Sequence, residues 1–415
     1  MSRWKLVLAL LAAMAANAAW SGDDSWFGDV EQYTRLRDTR IDVAGPEPAS
    51  FTALGVAPFL TAQSLASSDF SIAAAQVFDD QGHPRGALGI DFAPVSLTES
   101  RLDLADYQHN REKRFVSRIQ LSMAVSKGES DDDRSTRFAP TLRIVLHEQR
   151  DPRVHRGPGS LKDCFERHVN PPEQARSQLA ELAARLKIVD QLLQDPNAEP
   201  AQRQEAQQRQ AALQAQWQAS QTAYRTALHE TVREGMRACR DDPQVAAYTW
   251  NATGHAIGIS PTFRTLSDGL GALEPRGFVA FATTAYGFDA LGTHPDYAPS
   301  FLGRHAQILG QVLYRHNEPL QDPGQPQRFD DADEVVVSTR LRGGTSPWNA
   351  NLEAAVLHDW FKDRDDDTFY KLSAGTDLHL GKGLWMSLSI GRTFWRGTIA
   401  NETSGGVTLK KSFLN

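Results

Sequence analysis

Hydrophobic and polar positions alternate along the C-terminal part of the chain. From Thr368 to Leu380, apolar side chains occupy one parity and mostly polar ones the other. The alternation resumes after Gly381-Lys382-Gly383, from Leu384 to Thr393, and again from Val407 to Phe413. Because successive side chains of a β-strand point to opposite faces, this pattern predicts three strands, each with one apolar and one polar face.

The same period of two appears earlier in the chain. It predicts four strands before residue 150 and five more between residue 243 and the three C-terminal strands. These nine are Ser71–Phe78, Ala87–Leu97, Arg114–Lys127, Thr136–Glu148, Val245–Ser260, Phe278–Phe288, Arg304–Arg315, Glu334–Arg342 and Trp348–Phe361. Together with the three C-terminal strands they make twelve, an even number, as a single-chain bacterial membrane barrel requires. Pro140 falls inside the fourth strand, where it predicts a lost ladder hydrogen bond or a bulge.

Residues 151–243 interrupt the strands with a period of 3.6. Apolar residues recur there at three- and four-residue spacing, which predicts a coiled-coil seam. Its members are Leu179, Leu182, Leu186, Val189 and Leu193. Asp195-Pro196-Asn197 breaks the helix, and a second helix is predicted from Pro200 to Ala238. The segment is therefore interpreted as an antiparallel helical hairpin, whose first helix of about 22 residues would span about 33 Å.

The chain has two cysteines, Cys164 and Cys239. Cys164 precedes the first long helix and Cys239 follows the second, so the two ends of an antiparallel hairpin would bring them together. In an exported protein two such thiols usually pair. We therefore expect a disulfide at the base of the hairpin.

The N-terminus predicts export. Residues 1–18 combine a basic start, the apolar run from Leu6 to Ala16 and an Ala-Asn-Ala cleavage site, which is the pattern of a secretory signal peptide. No later run of about 18 apolar residues predicts a membrane-spanning helix. The net charge of −7 argues against a nucleic-acid binder.

The predicted organisation places residues 19–70 before the strands, as a leader that could plug a barrel lumen or lie in the periplasm. Residues 71–150 hold the first strands, and residues 244–415 the remainder. With an even strand count both termini lie on one side, normally the periplasmic side. The same count predicts that the hairpin is periplasmic.

Charged side chains gather on the polar parity of the strands. They predict either an aqueous pore with a charged lining or a closed lumen filled by ion pairs. The candidates are Arg118, Arg143, Glu334, Arg340, Arg342, Glu353, Lys371, Asp377 and Lys410.

No motif predicts catalysis, a metal site or a cofactor. Ser387, Ser389, Asp377 and His379 on one hairpin, or Ser338 with His358-Asp359, contain the residue types of a hydrolase, but no G-x-S-x-G elbow accompanies them. Asp131-Asp132-Asp133 and Asp365-Asp366-Asp367 are interpreted as solvated loop tips, with Ca²⁺ binding or bridging to lipopolysaccharide as the alternative.

The signal peptide, the strand hairpins and the final strands resemble bacterial outer-membrane β-barrel proteins as a class. The resemblance covers residues 70–150 and 245–415, and it implies a closed transmembrane barrel among outer-membrane lipid. It further implies a channel or an export or uptake conduit. The apolar seam of the hairpin, with its polar flanks, motivates the separate hypothesis that the hairpin docks a periplasmic partner or gates the lumen. The alternatives are a non-conducting structural or anchor barrel and a lipid-acting hydrolase.

Overall fold

Twelve antiparallel strands form a closed barrel, in which sequence neighbours pair and β1 closes onto β12. The expected barrel with an inserted helical hairpin is therefore confirmed. The computed structural model describes residues 26–39, 48–57, 59, 70–78, 84–95, 102–127, 135–149, 151, 153–154, 157, 159–240, 242, 244–245, 252–265, 273–289, 305–322, 325–344, 348–362, 365–381, 383–395 and 402–413. The predicted signal peptide, residues 1–18, lies outside the described residues.

Strand bounds follow the alternation of the sequence closely in the C-terminal part. The strands are β1 Phe70–Phe78, β2 Pro84–Phe92, β3 Ile119–Lys127, β4 Thr136–Glu148, β5 Gly254–Thr265, β6 Glu274–Asp289, β7 His305–Asp322, β8 Gln325–Gly344, β9 Trp348–Phe361, β10 Asp367–Gly381, β11 Leu384–Trp395 and β12 Glu402–Ser412.

Helices occupy the connections and the segment before β1. They are α1 Trp26–Tyr33, α2 Ala49–Ala53, α3 Leu104–His109, α4 Arg111–Val116, α5 Leu161–His168, α6 Glu173–Gln194 and α7 Pro200–Arg240, with a 3₁₀ turn at Leu36–Thr39.

The two faces of the barrel wall differ in polarity. One parity of each strand is buried inside the barrel, while the other presents large apolar side chains to the surroundings. Leu88 is 65% exposed, Leu352 61% and Ile390 62%. An apolar surface this extensive is rare on a soluble protein. In a closed barrel, where every strand edge is paired, it is the surface that faces lipid.

Several predicted bounds were wrong, including that of β8, which begins at Gln325 and not at Glu334, and that of β2, which ends at Phe92 and not at Leu97. The third strand was predicted from Arg114, but Asn110 caps α4 by accepting from the backbone N–H groups of Glu112 and Lys113, so β3 begins at Ile119. The fifth was predicted from Val245, but Asp242 accepts from the N–H groups of Gln244 and Val245, and β5 begins at Gly254.

A further correction concerns the last connection, predicted to span Arg396 to Gly406. It is shorter, because β12 already begins at Glu402 and pairs Thr403 with Arg392.

The strand order defines two ends of the barrel. The proximal end is where β1 begins and β12 ends, and the opposite end is distal. The connections 93–118, 149–253, 290–304, 345–347 and 382–383 leave the proximal end. The last two of these connections are short, and the connection 149–253 contains the helical hairpin.

Pro140 marks an interruption between β4 and β5. Phe138 pairs with Phe263 and Leu142 with Ile259, while Pro140 lies opposite Pro261 between them, where neither residue has an N–H to donate. The Ser260 hydroxyl donates to the Pro140 carbonyl at 3.0 Å instead. This agrees with the ladder loss predicted at Pro140.

The chain divides into two compact units. The first comprises Met1–Arg35, Asp103–Ala105 and Val169–Gly235, and so contains α1 and most of the helical hairpin. Within it, Gln210 Nε2 on α7 donates to Asp190 Oδ1 on α6 at 2.6 Å. Asp29 of α1 accepts from the Tyr224 hydroxyl at 2.5 Å and lies 3.5 Å from Arg176 Nε.

The second unit contains the barrel and the base of the hairpin. There Cys164 and Cys239 form a disulfide with their Cα atoms 5.8 Å apart. Cys239 lies in the last turn of α7, not after it, and Cys164 lies in the separate short helix α5. No helix in the described part of the chain combines the length and apolar character that membrane spanning needs.

Candidate functional site in the barrel lumen

A segment of the N-terminal leader lies inside the barrel. The lumen segment is defined as residues 48–57 and Phe59. Its helix α2 packs against β2, β3, β4 and β5, and all its residues except Gly55 are buried. Gly55 has φ +69°, a left-handed conformation that ends α2 and that glycine adopts without strain.

The segment and the wall share one apolar cluster. The segment contributes Ala49, Phe51, Ala53, Leu54, Val56 and Ala57. The wall contributes Ala73, Ala75, Ala87, Ala124, Ala139, Val279, Phe281, Leu313, Val336 and Ala355. These wall residues come from strands β1 to β9, with the exception of β5. The segment therefore fills the middle of the lumen and does not merely line one side.

Two aromatic rings of the segment meet glycines of the wall. A Cβ on Gly89 of β2 would lie 2.6 Å from Cε1 of Phe51, and one on Gly375 of β10 would lie 2.6 Å from Cζ of Phe59. No side chain fits at either position while the ring is in place. A Cβ on Gly375 would also lie 2.2 Å from the Leu388 carbonyl oxygen of β11. The contact with β11 is therefore a second reason why this position requires glycine.

Few polar contacts hold the segment. The Ser50 and Ser122 hydroxyl oxygens are 2.5 Å apart, and the Ser50 N–H donates to Ser122 Oγ at 3.2 Å. Arg315 Nη2 of β7 donates to the Thr52 carbonyl at 3.1 Å. Arg340 Cζ lies 3.8 Å from the centre of the Phe59 ring, a cation–π contact.

Arg340, Arg342 and Asp377, predicted as lumen charges, form a single cluster. Arg340 Nη2 is 3.5 Å and Arg342 Nε 3.8 Å from Asp377 Oδ2. Asn351 Nδ2 donates to the same oxygen at 3.1 Å, and the Ser387 hydroxyl donates to Oδ1 at 2.7 Å. Two guanidinium groups thus share one buried carboxylate.

The other predicted charges lie at two further places in the lumen. Glu334 accepts from Arg315 Nη1 at 2.9 and 2.7 Å, and Lys371 interacts electrostatically with Glu353 and Glu334. Arg143 donates to Gln120 at 3.4 Å, and Asp91 interacts with both Lys410 and Arg143. The lumen therefore contains paired charges of both signs.

The prediction for Arg118 was wrong, because it lies in the turn before β3. Its Nη2 is 4.0 Å from Asp151 Oδ2 in a clasp at the proximal end. Arg153 Nε donates to Asp151 Oδ1 at 2.8 Å, and the buried Tyr107 hydroxyl donates to Oδ2. Burial alone would raise the pKa of Asp151, but Arg153 and these hydrogen bonds outweigh burial and lower it.

The candidate hydrolase residues are not assembled into a triad in the described part of the chain. Ser387 donates directly to Asp377, while His379 stacks on Trp385 with ring centres 4.5 Å apart. His358 is hydrogen-bonded to Thr368 and packs edge-on against the exposed Trp360. Ser338 is buried in the lumen, on the other face of the wall.

A group with metal-binding residue types lies beside the disulfide, where Cys164, His168 and Asp242 approach one another. Cys164 is already bonded to Cys239 and offers no thiolate. Asp242 Oδ2 accepts from Arg167 at 2.7 Å and from His168 at 2.8 Å. The group is therefore an ion-pair cluster.

Three features define the architecture: the strand order is closed, the outer face is apolar and the lumen is polar. The chain folds as an outer-membrane-type β-barrel. No protein-family model matches it, and no curated protein matches it in sequence. Its similar solved structures include the KdgM porin, at 7% identity and a TM-score of 0.33 over 83% of this chain and 99% of that one.

Two further solved structures are similar at comparably low identity and TM-score. The Acinetobacter baumannii outer membrane protein Omp33 is 8% identical, with a TM-score of 0.31 over 85% of this chain and 100% of that one. The CymD monoaromatic hydrocarbon channel is 9% identical, with a TM-score of 0.30 over 90% of this chain and 99% of that one.

Some residues of the site were missed by reasoning from sequence. Arg315 closes a predicted strand, and Ser122 is one of several polar lumen positions, so neither stood out. Phe51 and Phe59 lie in the leader, where no periodicity signals a partner. Gly89 was assigned to the polar face of β2, and a glycine inside a strand is the available signal for close approach by another group.

Proposed function

We propose that the protein is an outer-membrane conduit whose lumen is closed, in this state, by the lumen segment. The observation that carries the proposal is the contrast between a wall closed by continuous strand pairing and a filling that is held to it mainly by apolar packing. In a barrel with an even number of strands both termini normally lie on the periplasmic side, so we infer that the proximal end faces the periplasm.

The segment is tethered on both sides. Before it, the Leu36 N–H donates to the Leu102 carbonyl at 2.9 Å, and Thr39 is fully buried. After it, β1 begins at Phe70 within the barrel wall. Displacement of residues 48–59 therefore leaves every strand pairing of the barrel in place, and the same segment remains available to close the lumen again.

Single-channel conductance in planar bilayers tests this proposal. Residues 19–415 are compared with the same protein lacking residues 48–59, and folding is checked by heat-modifiable migration. We expect the intact protein to be closed or to open rarely, and the deletion to give stable steps. Neutralising Arg340 and Arg342 in the deletion should change ion selectivity.

A non-conducting anchor barrel is the second candidate, favoured by the completeness of the lumen filling. The two candidates give opposite results for the deletion. A protein without residues 48–59 that inserts and folds, yet passes no current, would establish the anchor and reject the conduit.

We further propose that the helical hairpin serves partner docking or gating on the periplasmic side. α6 has no fully buried residue, and Ile188 is 66% exposed, so the hairpin presents free surface. A photo-crosslinking residue at Ile188 in native membranes tests docking, with the adjacent position Lys187 as control. Deleting residues 172–237 tests gating. Equal crosslinking from Ile188 and Lys187 would reject docking, and unchanged conductance after the deletion would reject gating. Outer-membrane lipid and lipopolysaccharide remain the proposed surroundings of the apolar wall.

A further inference from the structure

The Phe59 ring occupies a small binding site in the wall. The Arg340 slot is defined by Arg340, Gly375 and Asp377. The Arg340 guanidinium covers one side of the ring at 3.8 Å, and the bare backbone of Gly375 forms another side. Arg340 is 0% exposed and Asp377 2%. The slot is thus buried, ring-sized and next to a cation.

Arg340 has a donor that Phe59 does not satisfy. Its Nε donates to Asn351 Oδ1 at 3.1 Å, and its Nη2 approaches Asp377 at 3.5 Å. Its Nη1 is buried without an acceptor among the described residues. A buried donor without an acceptor costs free energy. The phenyl ring supplies a π face to this guanidinium and nothing that accepts a hydrogen bond.

The charge of the slot favours an anion. Arg340 and Arg342 are both buried, and Asp377 is the carboxylate that both approach. These three groups together carry two positive charges and one negative charge. An added acidic group would be repelled by Asp377 but attracted by two guanidinium groups.

We propose that the Arg340 slot binds aromatic carboxylates, with the ring in the place of Phe59 and the carboxylate accepting from Arg340 Nη1. The lumen segment then acts as an internal mimic that occupies the slot until it is displaced. The proposal deepens the proposed function and rests on it, since a solute reaches the slot in the natural protein only when the segment has left.

The test uses the full-length protein with Phe59→Ala, which empties the slot and leaves the rest of the segment present. Benzoate is the probe, and its binding is measured by titration calorimetry in detergent. We expect benzoate to bind the Phe59→Ala protein and not the unchanged protein, whose slot is filled. Adding Arg340→Gln should weaken binding at least about tenfold, the factor expected for loss of a hydrogen bond to a charged group.

Cyclohexanecarboxylate is the matched control, because it has the same charge and a similar size without a π face. It should bind Phe59→Ala distinctly more weakly than benzoate does. Equal binding of the two acids, equal binding of benzoate by the unchanged protein, or no binding of benzoate at all would each overturn the slot. These outcomes are separate from conductance, so a barrel that fails to conduct rejects the conduit and leaves the slot to be decided by calorimetry.

Discussion

The lumen segment and the helical hairpin are both additions to the strand order, but they are stabilised in opposite ways. The segment has a single short helix and is buried almost entirely against the wall. The hairpin has two long helices, no fully buried residue in α6 and a disulfide at its base. The segment's conformation therefore depends on the shape of the wall, whereas that of the hairpin depends on its own contacts. Changes in the wall should move the first and leave the second intact.

The largest effect is expected at Gly89, where the wall receives the Phe51 ring. Gly89→Val places side-chain atoms in the space of that ring and should displace the lumen segment, giving open-channel steps in a planar bilayer. Gly86→Val on the same strand is the control, since a Cβ at Gly86 has no neighbour within 4 Å.

The double variant Phe51→Ala/Gly89→Val tests whether residues 51 and 89 pack directly on each other. Truncating Phe51 in the core costs about 3–5 kcal/mol by itself, but it makes room for the valine. The double variant should therefore close more often than Gly89→Val alone. Independent, additive effects of the two changes would contradict direct packing of residue 51 on residue 89.

A covalent lock is the next test, at the contact between Ser50 and Ser122. Their hydroxyl oxygens are 2.5 Å apart, close to the length of a disulfide bond of about 2.05 Å. The Ser50→Cys/Ser122→Cys protein should stay closed when oxidised and return to the behaviour of the unchanged protein when reduced. The unchanged protein with the same reductant controls for reduction of Cys164–Cys239. Openings that persist in the fully oxidised protein would show that ions pass without movement of the segment.

The difference between the two regions also explains what the sequence could predict. The barrel strands can be predicted from local alternation, because an apolar residue at every second position, such as Leu352 or Ile390, marks the lipid-facing side of a strand. The hairpin follows from local period and from two cysteines. The lumen segment has no such signal. Its partners Ser122, Gly89 and Arg315 are ordinary lumen positions, and they meet it only because the barrel closes around it.

Two of the wrong bounds, the starts of β3 and β5, have local causes as well. The side chains of Asn110 and Asp242 cap short helical turns and so delay β3 and β5. Such capping competes with strand formation through one or two side-chain hydrogen bonds. These bonds cannot be recognised from the alternation of apolar and polar residues. Arg118 was misplaced for this reason, since the strand that would have carried it starts one residue later.

On the hairpin side, loss of the disulfide should have a moderate and local effect. Cys164→Ser/Cys239→Ser opens a loop with a sequence separation of 75, for which loop closure predicts about 4 kcal/mol of lost stability. Hydrogen exchange should rise in α5 and in the last turn of α7. Conductance should be unchanged, because the lumen segment has no contact with the bond. A change in conductance with normal folding would instead support gating by the hairpin.

The smallest effect is expected from acid at Asp242. Burial raises the pKa of this carboxyl, but hydrogen bonds from His168, Arg167 and two backbone N–H groups outweigh burial and lower it below the ordinary 3.8. A lowered folded-state pKa means that the stabilisation is complete above 3.8 and is lost as pH falls through the lower, folded-state value. The protection factors of the α5 amides, which correct for the pH dependence of intrinsic exchange, should therefore fall only at strongly acidic pH.

Asp242→Asn removes the carboxylate at every pH and provides the comparison. At neutral pH the protection factors of its α5 amides should already match those of the unchanged protein in strong acid, and they should show little further response as pH falls. Exchange in β7 and β8 should not differ between the two proteins, because Asp242 serves the hairpin base and not the wall. A matching acid response in both proteins would assign the effect to other carboxyl groups, with Asp151 in the Tyr107 clasp as the next to test.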